Sequence, residues 1–512
     1  MKLKLLKLFF TWLKFASLLS LLWETSIINH KAIAQNSESA SIPRVCSQDL
    51  SAAITKIINH PKFKRSRWGI EIQVLATGES LYSLNGGQFF TPASSAKLLT
   101  TAAVLSELGA NYQITTPLYS VGKPPYLASL RLKGQGDPSI STKSLKTIVH
   151  RLQQQGIERI EKLIVDDSYF AAPTINPTWE WLDVHSYFAT AVNSTILNQN
   201  TVTLTLLPQQ LGKPVKYYWS DALAARQWQV INQATTGAAK IPYSIEIDGK
   251  LGQPVLQIRG QLAVNEPPDV WDLAIVDPAQ YFLESLRLHL EQAGIAVDQG
   301  IVVTEPVNNQ LEARLTKITS PPIQEILTEI NQESNNLSAE AVAKVLAQKL
   351  NTPTAIGRSP RFAIGAATPL AIAAINQSLN QLGINPESYL LVDASGLSRQ
   401  NLITPQTLVK TLRVMSRSSQ ARAYRQSLAI AGVNGTLKNR FRHTAIQGRL
   451  WGKTGTLTGT NSLAGYIFLP SSPTLVFSIL LNNSEVSNRE IIQAIDTVIL
   501  TLNHLNQCSK LQ

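Results

Sequence analysis

The sequence predicts a mixed α/β fold of the α+β kind, a helix-rich domain interrupted by a strand-rich insertion. Three observations carry this expectation. Apolar residues at helical spacing mark both ends of the chain, and a pair of strand-like runs lies near each end. Between them, from about residue 110 to 307, short alternating runs separated by turn residues predominate. A chain of 512 residues supports two to four domains with buried cores.

Taken in order, residues 48 to 59 read as a helix, with Leu50, Ile54, Ile57 and Ile58 on one face. Residues 68 to 76 alternate as a strand, and Ser80 to Leu84 is its hairpin partner. Lys97 to Leu105 is apolar nearly all round and closed by Gly109, the mark of a core helix. The insertion holds strand-like runs at 130–132, 163–165, 202–207, 243–247 and 255–258, with one longer helix from Tyr281 to Gly294. Helices return at 322–331, 338–350, 369–382 and 404–416, followed by strands at 461–470 and 474–481. The last element, 488–505, carries Ile491, Ile495, Val498, Leu502 and Leu505 as a core-facing stripe, because its polar face lacks the basic residues of a membrane-surface helix.

Composition removes several function classes. Gly 27 and Pro 26 are ordinary for a globular chain. Two cysteines cannot build a four-cysteine zinc site, and the seven histidines never pair at metal-ligand spacing, so no metal and no cofactor is expected. The formal charge of +12 could attract anionic envelope polymers but reads as spread along the chain. No basic block is interleaved with aromatics, so nucleic acid gains no support.

Residues 1–34 read as a signal peptide. Lys2, Lys4, Lys7 and Lys14 form the basic region, Phe15 to Trp23 the apolar one, and Ala32-Ile-Ala34 the small-residue cleavage site. The rival is a retained anchor beginning at Leu5, interrupted only by Lys14. Cleavage leaves 478 residues and a charge of +8, in an exported chain of the periplasm or cell envelope, with peripheral membrane or envelope association left open. There, Cys46 and Cys508 are expected to pair as a clasp between the termini, the alternative being two unpaired thiols. If the first and last helices pack antiparallel on one sheet, the two cysteines arrive at the same end.

Three short motifs carry chemistry. In Ser94-Ser-Ala-Lys97, residues three apart on a helix share a face, so Lys97 can bring its amine to the Ser94 hydroxyl, which needs a base to act as a nucleophile. A second such pattern, Ser120-Val-Gly-Lys123, heads no helix and reads as an ordinary loop. In Ser334-Asn-Asn336, between two helices, Ser334 can relay a proton between Lys97 and a leaving nitrogen, and Asn336 can offer its amide to a substrate carbonyl. In Lys453-Thr-Gly455, Lys453 and Thr454 can grip a carboxylate while Gly455 admits substrate backbone. A phosphate-loop reading of Gly-Lys-Thr fails, because position 447 is Gln where a glycine is required.

Together with Gly134-Gln-Gly-Asp-Pro138, Asp393-Ala-Ser-Gly-Leu-Ser398 and Gly432-Val-Asn-Gly-Thr-Leu437, the three motifs resemble the D-alanyl-D-alanine carboxypeptidase/endopeptidase family, the class C low-molecular-mass penicillin-binding proteins. The wide spacing between the first two motifs matches that family's inserted domains. The resemblance implies a β-lactamase/transpeptidase-like catalytic domain split into 46–109 and 308–512, with β-rich 110–307 inserted. It implies peptidoglycan stem peptides as substrate and β-lactams as inhibitors. Ser94 would be the nucleophile, Lys97 the base and Ser334 the relay, with Asn336 on the acyl side's amide. Lys453 and Thr454 would hold the terminal carboxylate, and the backbone N–H groups of Ser94 and Thr456 the oxyanion. Ser395 and Arg399 resemble contacts to the free end of a diaminopimelate side chain, and Asp183 with Phe188 its other clamp. Asp393 reads as structural, orienting the turn that follows, and Leu457 as pocket wall or core.

Two rivals remain. A β-lactamase needs an efficient deacylation base, and no matching glutamate block lies between the first two motifs. A non-catalytic envelope binding protein on the same scaffold conflicts with the intact Ser94, Lys97, Ser334, Asn336 and Lys453.

Overall fold

Alternation of apolar side chains builds the central sheet. Leu475, Phe477, Ile479 and Leu481 point to one face and Val476 and Leu480 to the other, and all are buried, so this strand is covered on both sides. In the computed structural model, which describes residues 45–46, 49–307, 310–351, 369–470, 472–503 and 505–506, it lies inside a six-stranded sheet. The order is Ala429–Ile430, Leu450–Leu457, Thr460–Ile467, Leu475–Asn482, Arg67–Val74 and Ser80–Leu84, every neighbour antiparallel.

The helices Leu50–Ile58 and Asn488–Leu502 cover one face through Leu50, Ile54, Ile491, Ile495 and Val498. The other face carries Lys97–Leu108, Ile323–Gln332, Asn336–Lys349, Pro369–Gln381 and Pro405–Arg417. Lys97–Leu108 is buried along its first nine residues, which is why its sequence is apolar all round.

The insertion has its own core around a five-stranded sheet ordered Ala296–Val303, Arg159–Asp166, Tyr126–Lys133, Thr115–Lys123 and Ala313–Thr319. Ala313–Thr319 pairs with Thr115–Ser120, so this sheet takes a strand from beyond residue 307, and the next helix begins at Ile323. Arg131 is buried between Asp166, at 2.6 Å, and Glu312, tying that returning strand to the sheet.

Several local expectations change. Ser120 to Lys123 is the end of a strand, not a loop. The run at 243–247 pairs only from Glu246. A second insertion helix, Thr142–Gln154, carries Leu145, Ile148, Val149 and Leu152 at helical spacing that the turn-rich text around it hides. The third motif lies within a strand, one place in from the sheet's edge.

The first and last helices do pack together, and Val45–Cys46 pairs in parallel with Leu505–Asn506. Cys508 and the expected signal peptide lie outside the described residues.

Candidate active site

Ser94, the expected nucleophile, sits in a constrained turn. Pro92 precedes Ala93, whose φ of +48° is unusual for a residue with a side chain, and Ala93–Ala96 forms a single 3-10 turn opening the helix at Lys97. That turn is fastened from both sides. Ser462 Oγ donates to the Pro92 carbonyl at 2.8 Å and lies 2.7 Å from Ser95 Oγ. Gly396, at φ +79°, lies so close beneath that a Cβ there would fall 2.0 Å from the Ala93 carbonyl oxygen.

Lys97 is fully buried, and its Nζ has three partners: Ser94 Oγ at 2.9 Å, Asn336 Oδ1 at 2.6 Å and the Ser395 carbonyl at 2.6 Å. Asn336 Nδ2 donates to the Phe188 carbonyl at 2.8 Å, which fixes the amide so that its oxygen faces Lys97. Amide oxygen and carbonyl can only accept. A neutral Lys97 amine therefore spends both N–H bonds on them and turns its lone pair toward the Ser94 hydroxyl, the geometry of a general base. Burial draws the Lys97 pKa down to about 7, against the opposing pull of Asp393 and Glu340. The base form thus prevails above about pH 7. We expect the acylation rate of Ser94 to fall about tenfold per unit below that pH. The pH profile of kcat/KM on a peptide ending in D-Ala-D-Ala checks this, and a flat profile to pH 5 would place the base elsewhere.

Ser334, at φ +64°, brings its Oγ to Lys453 Nζ at 2.9 Å, and Lys453 also donates to the Thr454 carbonyl at 2.7 Å. Ser334 is thus bonded to Lys453, whereas the sequence reading had it serve Lys97. Lys453 is fully buried, and burial followed by the neighbouring Lys97 holds its pKa well below the usual lysine range.

The short strand Ala429–Ile430 pairs with Gly452 and Trp451, so among the described residues Lys453 to Leu457 faces the cleft without a strand partner on that side. Gly455 lets this edge meet the nucleophile turn, since a Cβ there would lie 2.8 Å from Pro92 O and 2.9 Å from Ser94 N. Thr454 Oγ1 donates to Thr436 Oγ1 at 2.8 Å, and Thr456 Oγ1 to Asn461 Oδ1 at 3.1 Å.

A cleft of about 730 Å³ opens over Ser94, lined also by Ser334, Asn336, Thr456 and Leu457 and walled by the insertion's Asp183 and Phe188. Arg399 lines it as well, bound to Glu180 Oε1 at 2.6 Å and the Thr458 carbonyl at 3.0 Å. Burial, then Glu180, raises the Asp183 pKa. Ser395 departs from expectation. Its side chain is fully buried and its Oγ accepts from Leu397 N, so only its carbonyl serves the site, through Lys97. Asp393 is structural: it accepts from Trp179 Nε1, Gly396 N, Ser398 N and Asn401 Nδ2, which shapes the turn carrying that carbonyl.

Sequence reasoning missed two supports. Glu340, 2% exposed, accepts from Ala394 N and Ser395 N at 2.8 Å each, and burial raises its pKa to about 7. Asn336, Glu340 and Lys344 stand four apart along one apolar helix, a polar stripe that was the available signal. The second support crosses from the insertion. Asn335 Nδ2 donates to Glu329 Oε1 at 2.8 Å and to Gln199 Oε1 at 2.9 Å, pinning the middle residue of the second motif. Gln199 sits in a left-handed run, Asn198 to Asn200, that no residue pattern announces.

A serine hydroxyl 2.9 Å from a fully buried lysine amine, at the head of a helix packed on a sheet covered on both faces, is an arrangement suited to active-site-serine acyl transfer. Over residues 50–502 the chain matches the model of the D-Ala-D-Ala carboxypeptidase 3 (S13) family, and it belongs to that family. By that membership it is a serine-type D-Ala-D-Ala carboxypeptidase. A D-alanyl-D-alanine carboxypeptidase of Actinomadura sp. is 30% identical over 454 residues, 85% of this chain and 81% of the relative. Penicillin-sensitive carboxypeptidase A of Dictyostelium discoideum is 28% identical over 497 residues, 89% and 92%. Among solved structures, penicillin binding protein 4 of Haemophilus influenzae superposes with a TM-score of 0.76 at 23% identity, covering 90% of this chain and all of that one, which shows the shared fold.

Proposed function

We propose that this chain is an exported enzyme that trims peptidoglycan stem peptides through an acyl-enzyme on Ser94, with cross-link endopeptidase cleavage as a second outlet and β-lactams as acylating inhibitors. The single observation that carries the reading is the Lys97 amine, with two N–H bonds committed elsewhere and Ser94 Oγ at 2.9 Å. The names of two relatives support the lactam reading, one penicillin-sensitive and one crystallised with a β-lactam.

In the proposed cycle the substrate lies along the strand edge at Lys453 to Leu457, its terminal carboxylate beside Lys453 and Thr454. That negative charge raises the Lys453 pKa, so that Lys453 takes up a proton from solvent as the substrate binds. Lys97 takes the Ser94 proton as Oγ attacks the carbonyl between the two D-alanines. The oxyanion is held by the N–H groups of Ser94 and Thr456. As the C–N bond breaks, Ser334 donates to the leaving nitrogen and is refilled by Lys453, 2.9 Å away. In deacylation water attacks the ester and loses its proton to Ser334 and Lys453, while Lys97 returns its proton to the Ser94 oxygen. Asn336 chiefly orients Lys97, and an acyl-side amide reaches its Nδ2 only by displacing the Phe188 carbonyl. Asp183, Phe188 and Arg399 form the wall for the third residue's side chain.

The test compares wild type with Ser94→Ala, using a fluorescent penicillin and purified monomeric and cross-linked muropeptides. Wild type is expected to be labelled stoichiometrically and to release D-alanine, and the variant to do neither. Absence of label on wild type refutes the assignment. Fast lactam turnover would favour a β-lactamase, and label without peptide cleavage a binding protein.

A further inference from the structure

The helix Asn336–Lys349 buries two ionisable side chains that the proposed cycle does not use, Glu340 and Lys344. Lys344 has a structural role: its Nζ donates to the Val192 carbonyl at 2.8 Å and fastens the helix to the insertion. Glu340 differs. Its Oε1 accepts from Ala394 N and Ser395 N, bonds that a neutral glutamine could also accept. Among the described residues no cation lies within ion-pair distance of it. A buried charge costs far more than a buried amide, so hydrogen bonding alone does not explain a carboxylate at this position.

The peptide groups that Glu340 holds lead to Lys97. The Ala394 carbonyl accepts from Thr100 Oγ1 at 2.7 Å, which fixes the other side of the peptide whose N–H goes to Glu340. In the next peptide, Gly396 N donates to Asp393 Oδ1 at 2.7 Å and the Ser395 carbonyl accepts from Lys97 Nζ at 2.6 Å. Glu340 and Asp393 thus grip this turn from two sides, and the turn presents one carbonyl to the amine.

Their charge reaches the same amine. Lys97 and Lys453 are equally buried, yet burial and the neighbouring Lys97 take Lys453 well below the usual lysine range. Lys97 rests at about 7, because Asp393 and then Glu340 oppose the effect of burial. The other groups on elements packed against Glu340 are few. Lys344 lies one helical turn beyond it, lowered to about 8 by burial against the pull of Glu340 and Asp167. Pro369–Gln381 brings no ionisable side chain, and Lys97–Leu108 brings only Glu107 besides Lys97, at its far end. Ile323–Gln332 brings an exposed Glu325 and Glu329, the latter bonded to Asn335 and Gln199, while the insertion's Tyr187 lines the cleft.

We propose that Glu340 is a positioning residue for Lys97: its carboxylate fixes the backbone that presents the Ser395 carbonyl to the amine, and its charge keeps that amine a strong enough base for the Ser94 proton. This role rests on the reading of Lys97 as the base. Without the charge, the amine stays unprotonated to lower pH but takes the serine proton less readily. Without the carboxylate, Ala394 N and Ser395 N lose their acceptor and the Ser395 carbonyl is released.

The test measures acylation of the full chain by a fluorescent penicillin from about pH 5 to about pH 9, for wild type, Glu340→Gln and Glu340→Ala. Wild type is expected to lose rate below about pH 7. In Glu340→Gln the acid limb moves about one pH unit lower and the plateau falls about threefold. In Glu340→Ala the limb moves the same way and the plateau falls about a hundredfold, because the base is displaced. A purely structural Glu340 would lower the melting temperature and leave the limb in place. A limb that stays or rises in the glutamine variant therefore overturns the proposal, and this arm decides alone if the alanine variant does not fold. An alanine plateau equal to that of glutamine overturns it as well. Wild type that is unlabelled, or labelled equally at every pH, instead refutes Lys97 as the base and removes the role of Glu340 with it, a result that needs no variant.

Discussion

Lys97→Met lowers the rate at which Ser94 is acylated by about a thousandfold. Methionine fills the same buried slot, which has no exposure to solvent, but offers no lone pair to the Ser94 hydroxyl. Two acceptors, Asn336 Oδ1 and the Ser395 carbonyl, lose their donor, costing about 1–3 kcal/mol each when left unmade. Removal of a desolvated amine offsets part of that loss. The melting temperature therefore falls modestly while the acylation rate collapses, and stopped-flow labelling with a fluorescent penicillin separates the two. A variant acylated at the wild-type rate would remove Lys97 from the base role.

Gly455→Ala reduces acylation by about a hundredfold to a thousandfold, the range expected when an oxyanion-hole donor is misplaced. The new methyl would lie 2.4 Å from Ser462 Oγ, 2.8 Å from Pro92 O and 2.9 Å from Ser94 N. Two of those atoms are backbone of the nucleophile turn, which is fastened by Ser462, so the strand edge must retreat from Ser94. Such overpacking costs about 1–3 kcal/mol of stability, measurable as a shifted denaturant midpoint. Gly87→Ala is the control: its Cβ would meet only Gln406 Oε1, at 3.7 Å, and should change neither quantity. Equal behaviour of the two variants would show that the close approach at Gly455 has no catalytic consequence.

Much of the site was legible because its chemistry is local. Ser94 and Lys97 are three residues apart on one helix, and the sequence places them on one face. The glycine of the third motif likewise announces a close approach. What the sequence could not supply is the partner of each polar atom. Ser334 was assigned to Lys97, yet its hydroxyl meets Lys453, because the left-handed turn at 334 aims it at the strand edge. Ser395 was expected to contact substrate, yet its side chain is buried and its carbonyl accepts from Lys97 instead. Gln199 was invisible, since nothing in Asn198 to Asn200 announces a contact made 136 residues later.

The fold divides in the same way. Periodicities of two and 3.6 located the strands that carry the sheet and the helices that cover it, because burial of a face acts over a few residues at a time. Strand pairing is nonlocal, and so no local pattern announces that Ala313–Thr319 pairs with Thr115–Ser120 nearly two hundred residues earlier. By itself the sequence pointed to the class of reaction, which the family match shows, and singled out the residues proposed to carry it. Only the tertiary structure decided that Lys97 is removed from water and its pKa drawn down to about 7, because that burial comes from packing by residues hundreds of positions away.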